Sequence, residues 1–427
     1  MRTNKLKNGT LAADYLDRAT ICVVGLGVVG LPLARAFSQR SKVVGFDVDV
    51  NKLDALNREN HKNANLSLTS DPSMMRDSDF ILIAVPTPLT KSNDPDMSYF
   101  EKACRAIGPN LKRGSVVIVE SSVYPGATEE IVKPILESFG LRCGTDFKLG
   151  CSPERVNPGD DGHSLDRVTK IVSGMDEETT DLVARLYSRI VPSVFKAKDI
   201  KTAEAAKLME NVQRDVNVAL MNELSSLFEA MGMDTREVIK AAATKWNFAM
   251  HTPGLVGGYC IPVSPRYLMY KGKESGVKLP LIKAARETND FMPARIVGMV
   301  SKALALTRGG VSGSRVLFLG TTYKENVPDT RNSPITDVMA QLFKQGAKVL
   351  VYDPLAANVE PQFEKIPSLA DLKGVDCVVL SVAHDVFRDI TLDQVKSVSS
   401  PKPVIIDIRG FFNGQKARSM GFQYKCL

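Results

Sequence analysis

The chain has 427 residues, 44% hydrophobic and 24% charged, with 55 Lys and Arg against 48 Asp and Glu for a formal net charge of +7. At roughly 100–200 residues per domain this length makes two to four domains, and the composition excludes disordered and fibrous classes. No apolar run approaches the ~18–20 residues of a membrane span, residues 1–20 are polar and no Lys/Arg run forms a nucleic-acid stripe, so a cytoplasmic protein with neither membrane nor nucleic-acid partners is expected.

Strand and helix alternate from the start. Residues 21–24 are apolar, Gly25, Gly27 and Gly30 punctuate the following turn, and residues 31–37 carry a helical pattern. A second strand, 42–47, ends in Asp47, and 80–85 and 115–120 are buried-type strands separated by helical stretches. This alternation predicts an α/β fold with a doubly wound parallel sheet. Residues 202–231 run without Gly or Pro, with Ala205, Leu208, Val212, Val216, Ala219, Leu220, Leu224 and Leu227 at helical spacing. A helix of that length is about 45 Å long and either spans domains or forms the seam of a homodimer. The first pattern then restarts: strands at 315–320, 348–353, 375–381 and 403–407, with a helix at 335–345. The chain is therefore expected as two Rossmann-like doubly wound parallel-sheet domains, 1–199 and 309–427, joined by a central helical region, 200–308, with one long helix. The second sheet lacks a GxGxxG, since Thr321, Thr322, Tyr323 and Lys324 follow Gly320, and no dinucleotide is expected there.

Three constellations carry chemistry. Gly25, Gly27 and Gly30, with Val28 and Val29 between them, would let the backbone approach a pyrophosphate at a helix N-terminus. Asp47, 22 residues after Gly25, is placed to accept from ribose hydroxyls and to repel a 2′-phosphate, which points to NAD rather than NADP. Cys260 lies in a Gly-rich loop, 253–262, where a thiolate can attack an aldehyde and pass through a thiohemiacetal to a thioester; a buried inert cysteine is the alternative. Cys22 and Cys377 lie in strand-like runs and are expected to be inert. Lys207 and Asn211, four apart on the long helix, would present an ammonium and an amide on one face to an oxyanion, or else be solvated. Glu154 follows the run 147–150 and is placed near a strand end. The seven cysteines, 22, 104, 143, 151, 260, 377 and 426, form no CxxC pair and are expected as thiols, while His61, His163, His251 and His384 are too dispersed for a metal site.

The motifs GLGVVGLPLA at 25–34, VPTP at 85–88, SPERVNPGD at 152–160, AKLMENVQRDVNVALMNELS at 206–225, PGLVGGYCIP at 253–262 and GTTYKENVPDTRNSP at 320–334 resemble the UDP-glucose/GDP-mannose dehydrogenase family, from about Thr20 to the end. NPGD followed by His163, and TKWNF at 244–248, look most like the subgroup acting on UDP-N-acetylglucosamine or UDP-N-acetylgalactosamine for surface polysaccharides. The resemblance implies a four-electron oxidation of the sugar C6 hydroxymethyl to a carboxylate with two NAD. It implies Cys260 as nucleophile, Lys207 and Asn211 as oxyanion donors, Glu154 in proton transfer and thioester hydrolysis, and Ser122 near the nicotinamide. It further implies Thr87 and Arg331 at the NAD, and Arg155, Gly257, Lys324 and Arg409 at the UDP-sugar, all converging on one interdomain cleft. Lys245 and Trp246 are candidates for a residue lent by a neighbouring subunit.

Two positions depart from the family pattern. Tyr259 stands where the family has His or Ser, and Ser264 stands where it has an Asp four residues after the cysteine. A hydroxyl cannot act as a carboxylate base, so a slow second half-reaction, or a compensating role for Glu154, is expected. The sequence leaves two other readings open: a two-electron β-hydroxyacid-type dehydrogenase, against which Cys260 and residues 314–427 argue, and a non-catalytic nucleotide-sugar-binding protein, which Ser264 makes thinkable. UDP-N-acetylmannosamine or UDP-glucose are the alternative substrates.

Overall fold

The computed structural model describes residues 15–59, 63–155, 165–370 and 372–427. His61, His163 and the NPGD run at 157–160 lie outside the described residues, as does most of the segment before Thr20. The chain divides into two compact units, residues 1–210 with 266–278, and residues 211–265 with 279–427.

The first unit holds strands β1 (Thr20–Val24), β2 (Lys42–Phe46), β3 (Leu66–Thr69), β4 (Phe80–Ile83), β5 (Val116–Val119), β6 (Lys148–Cys151), β7 (Thr169–Gly174) and β8 (Ser193–Lys196), in the sheet order β3-β2-β1-β4-β5-β6-β7-β8. β4 and β5 are buried at every residue, as a sheet covered on both faces requires. The neighbouring strands are parallel with one exception: β7 runs antiparallel to β6, pairing Gly150 with Gly174 and Cys151 with Ser173. The expected doubly wound parallel sheet is thus present with one antiparallel neighbour added in the first unit. Packed against the sheet are Leu33 and Phe37 of the helix Gly30–Ser38 and Tyr187 of the helix Glu177–Tyr187, with Phe37 and Tyr187 edge to face at 5.6 Å.

The long helix spans Ile200–Ala230, with Asp199 Oδ1 accepting from the backbone N–H of Thr202 at 2.7 Å to cap its start. Its first turns belong to the first unit and the remainder to the second, and the helix Cys260–Glu274 is likewise shared, changing unit between Pro265 and Arg266. The helical stretch 200–308 is therefore divided between the two units by its contacts.

The second unit holds β9 (Arg315–Leu319), β10 (Lys348–Tyr352), β11 (Glu364–Lys365), β12 (Val375–Leu380), β13 (Ser399–Asp407) and β14 (Gln423–Cys426), all parallel in the order β11-β10-β9-β12-β13-β14. Strand alternation divides its core in two. Val316 and Phe318 face Ile296 and Val300 of the helix Pro280–Arg308 on one side, while Leu317 and Leu319 join Phe387 and Val395 on the other. No described helix is long and apolar enough to cross a membrane.

Candidate active site

In the first unit each glycine of the turn after β1 has its own reason. Gly25 takes φ +93°, and a Cβ there would lie 2.7 Å from the carbonyl oxygen of Ala84. A Cβ on Gly30 would overlap the carbonyl oxygen of Gly25, so that glycine serves the close packing of turn on helix. A Cβ on Gly27 would meet nothing within 4 Å, and Val28 beside it is 64% exposed. The open backbone at Gly27 and the N-terminus of the helix at Val29 and Gly30 thus fit a pyrophosphate.

Asp47, just past β2, accepts at Oδ2 from the backbone N–H of Leu26 at 2.8 Å and from Lys52 Nζ at 2.5 Å, and at Oδ1 from the N–H of Asp49 at 3.0 Å. Burial pushes its carboxyl up, but Lys52 and the two backbone donors outweigh it and hold the group below the usual range. Three of roughly four acceptor sites on the carboxylate are used by the chain. Ionised Asp47 beside the glycine turn suits the adenosine ribose of NAD.

Thr87 and Ser122 meet directly: Thr87 Oγ1 donates to the carbonyl of Ser122 at 2.7 Å. The carbonyl of Thr87 in turn accepts from the fully buried Tyr267, at 2.7 Å. Tyr267 lies two turns along the helix that begins at Cys260, and nothing in its spacing marked it as a contact of the VPTP turn.

Glu154 lies three residues past β6 and belongs to a buried charged cluster. Lys170 Nζ, on β7, donates to Glu154 Oε2 at 2.8 Å and to Glu120 Oε2 at 2.7 Å, and Tyr187 donates to Glu120 Oε1. Burial pushes the Glu120 carboxyl up, and Lys170 beside it works in the opposite sense. The only hints in the sequence were one charge inside an apolar strand and one acid closing another. Arg155 is tied to the chain, through Glu210 Oε1 at 2.8 Å and the carbonyl of Thr169 at 2.9 Å. Lys207 and Asn211, one turn apart on the long helix, are both buried, which rules out the solvated alternative. Glu204, one turn before, accepts from the N–H groups of Gly126 and Thr128, and burial pushes it up to about 7.

In the second unit Cys260 opens a helix rather than lying inside a loop, and it is exposed. The N-terminus of a helix favours an adjacent negative charge. Cys22, Cys104, Cys151 and Cys377 are buried, and burial drives the thiols of Cys22 and Cys104 up to about 12 and raises those of Cys151 and Cys377 as well. One turn into the Cys260 helix, buried Ser264 accepts from Asn211 Nδ2 at 2.9 Å and donates to the carbonyl of Cys260 at 2.8 Å. The hydroxyl therefore fixes the Asn211 amide while leaving one of its two N–H groups for another acceptor.

The segment before Cys260 is held from two sides. Asn222 on the long helix reads the backbone of Gly254 in both directions, accepting from its N–H at 2.8 Å and donating to its carbonyl at 3.0 Å. A Cβ on Gly257 would lie 2.5 Å from Pro334 and 2.8 Å from the carbonyl of Asn332, so the close approach this glycine permits is to its own chain. Arg331 lies over the Tyr259 ring, 5.4 Å from its centroid, and donates from Nε and Nη2 to the two carboxylate oxygens of Asp329. Arg409 pairs with Glu325 at 2.6 Å, in the same loop as half-buried Lys324. Lys245 and Trp246 are exposed.

That loop is braced by buried His384. Its Nδ1 accepts from the backbone N–H of Asn326 at 2.9 Å, and its Nε2 lies 3.2 Å from Thr322 Oγ1 and 3.5 Å from Asp353 Oδ2. Burial pushes Asp353 up, yet its bonding to His384 and to backbone N–H groups wins and holds it at about 2.

The chain matches the NAD binding domain (residues 19–191), the central domain (201–291) and the UDP binding domain (317–414) of the UDP-glucose/GDP-mannose dehydrogenase family. It is 40% identical to the UDP-N-acetyl-D-glucosamine 6-dehydrogenase of Pseudomonas aeruginosa over 93% of this chain and 98% of the relative. It is 43% identical to protein CapL of Staphylococcus aureus over 93% of this chain and 97% of that one. The structure of a UDP-D-ManNAc dehydrogenase from Pyrococcus horikoshii is similar with a TM-score of 0.87 at 32% identity, covering 96% of this chain and 99% of that chain. The chain belongs to the UDP-glucose/GDP-mannose dehydrogenase family and is an NAD-dependent UDP-sugar dehydrogenase.

Proposed function

We propose that this dehydrogenase oxidises the C6 hydroxymethyl of a UDP-N-acetylhexosamine to the carboxylate, through a covalent intermediate on Cys260. The observation that carries the reading is the one exposed cysteine at a helix start, a single turn from the Ser264 hydroxyl that holds Asn211. The relatives named for UDP-N-acetylglucosamine support that sugar, with the galactosamine epimer beside it and the mannosamine epimer as the alternative.

NAD, when bound, accepts a hydride from C6 in each of two rounds. In the first, the hydroxyl proton passes to a base as the hydride leaves, giving the aldehyde. Cys260 thiolate then adds to the aldehyde carbon, and the resulting oxyanion takes hydrogen bonds from Lys207 and the free N–H of Asn211. Loss of the second hydride leaves a thioester. Water attacks its carbonyl, passing a proton to Glu154, and the carbon–sulfur bond breaks to free the uronic acid and Cys260. Lys324 and Arg409 supply cations for the UDP diphosphate, and Arg331, gripped by Asp329 and Tyr259, serves the NAD pyrophosphate. Ser264 orients Asn211 but supplies no carboxylate, which supports slow thioester hydrolysis. The apolar residues that the long helix leaves exposed, Met209, Leu220 and Leu227, support a homodimer, to be read by sedimentation.

The test is NADH formed per mole of limiting sugar, with UDP-N-acetylglucosamine, UDP-N-acetylgalactosamine, UDP-N-acetylmannosamine and UDP-glucose in parallel. Two NADH from an acetamido sugar is expected. One would mean a two-electron alcohol dehydrogenase, and none from any sugar, with NAD still bound, a nucleotide-sugar-binding protein.

A further inference from the structure

Lys170 is wholly buried on β7, where it lies among the largest inaccessible side chains of the molecule. An ammonium withdrawn from water costs several kcal/mol unless its charge and its donors are met. One buried carboxylate would meet the charge, yet Lys170 has two: Glu120 at 2.7 Å and Glu154 at 2.8 Å. Its Nζ also lies 5.5 Å from the Tyr187 ring centroid, and the Tyr187 hydroxyl closes the far side of Glu120. Cys151, buried at the end of β6, also senses Glu120 and Lys170, together with Glu204.

The two carboxylates differ. The Glu120 side chain is inaccessible and its oxygens are taken by Lys170 and Tyr187, whereas the Glu154 side chain is 9% exposed. The Glu154 backbone N–H donates to the carbonyl of Glu120 at 3.3 Å, and its Oε1 accepts from the N–H of Arg155 at 2.7 Å, so both chain and side chain are fixed relative to the cluster. A pair built only for stability would be more economically replaced by apolar packing.

We propose that Lys170 is a positioning residue of the reaction, holding Glu154 ionised and in a single orientation so that it can take the proton of the attacking water, with buried Glu120 balancing the ammonium from behind. This rests on the reading of Glu154 as the proton acceptor. Lys170 touches neither sugar nor cofactor and acts through Glu154 alone. Removing the cation disfavours the carboxylate form and raises the pH at which Glu154 becomes competent; removing Glu120 relieves a like charge and lowers it.

The experiment measures thioester decay by rapid quench across pH on the full-length protein, for wild type, Lys170→Met, Lys170→Arg, Glu120→Gln and Glu154→Gln. Lys170→Met is expected to slow decay about 10²-fold at neutral pH and to move the acid limb about one to two units upward, with NAD affinity retained. Lys170→Arg should restore the position of the limb in part, and Glu120→Gln should move it downward. A folded Lys170→Met with an unmoved pH profile overturns the proposal. If Lys170→Met does not fold, an unmoved limb in Glu120→Gln overturns it instead. Glu154→Gln separates the two layers: normal decay in that variant sinks the role of Glu154 itself, whereas blocked decay there with an unmoved profile in the other variants sinks only Lys170.

Discussion

The two sheets begin alike and part after one residue. β1 is followed by Gly25, at φ +93°, and β9 by Gly320, at φ +86°. Each glycine presses on the segment after the neighbouring strand, Gly25 on Ala84 and Gly320 on Val382, where a Cβ would lie within 2.9 Å of a carbonyl oxygen. Each second strand is followed by an aspartate that accepts from the backbone N–H after the glycine, Asp47 from Leu26 at 2.8 Å and Asp353 from Thr321 at 2.6 Å. Beyond that point the first turn stays open at Gly27. The second is filled: Asp353 is engaged by Thr321, Leu355, Ala356 and His384, and His384 ties down Thr322 and Asn326. One backbone plan thus makes a nucleotide cradle in one unit and, in the other, a braced loop carrying Lys324. The difference lies in what occupies the aspartate, not in the sheet.

Removing the proposed nucleophile tests the division of labour most severely. Cys260→Ala should cut formation of the uronic acid by more than about 10³-fold while NAD affinity, a property of the first unit, is unchanged. Next is the departure at Ser264: Ser264→Asp, which places a carboxylate at that position, should speed thioester decay by about 10²-fold, and unchanged turnover and thioester level would remove Ser264 as the cause of a slow second half-reaction.

The cofactor side gives a smaller effect. Asp47→Ala should weaken NAD about 10- to 100-fold and narrow the preference over NADP, both read by titration. Asp353→Asn should leave NAD affinity alone and cost on the order of 1–2 kcal/mol of stability at neutral pH. The sign follows from its depressed carboxyl: that stability is present above about pH 4 and is lost as pH falls through about 2, so the melting difference between variant and wild type should close in acid. Glu204 has the opposite sign. Its carboxyl is raised to about 7, so its contribution is present below about pH 4.5 and lost as pH rises through 7, and Glu204→Gln should compare better with wild type at pH 8 than at pH 5 in thermal melts.

Much of this was legible in the amino-acid order. The glycine turn, Asp47 and the second Rossmann-like pattern are local signals, and the long helix, expected at 202–231, is observed at Ile200–Ala230. What escaped is non-local. The pairing of Lys170 with Glu120 joins residues 50 apart, and the bond from Tyr267 to Thr87 joins residues 180 apart; neither has a periodicity to reveal it. Gly257 and Gly258 break any helical pattern just before Cys260, so the sequence there has the signature of a loop although the helix begins at Cys260 itself.

The central claim is that Cys260 carries the sugar through the second oxidation. Protein quenched in acid during turnover and weighed intact should show a fraction increased by the mass of the UDP-sugar acyl group, located at Cys260 by peptide mapping and missing from Cys260→Ala. Two NADH per sugar from Cys260→Ala, or an adduct mapped to another residue, would contradict it.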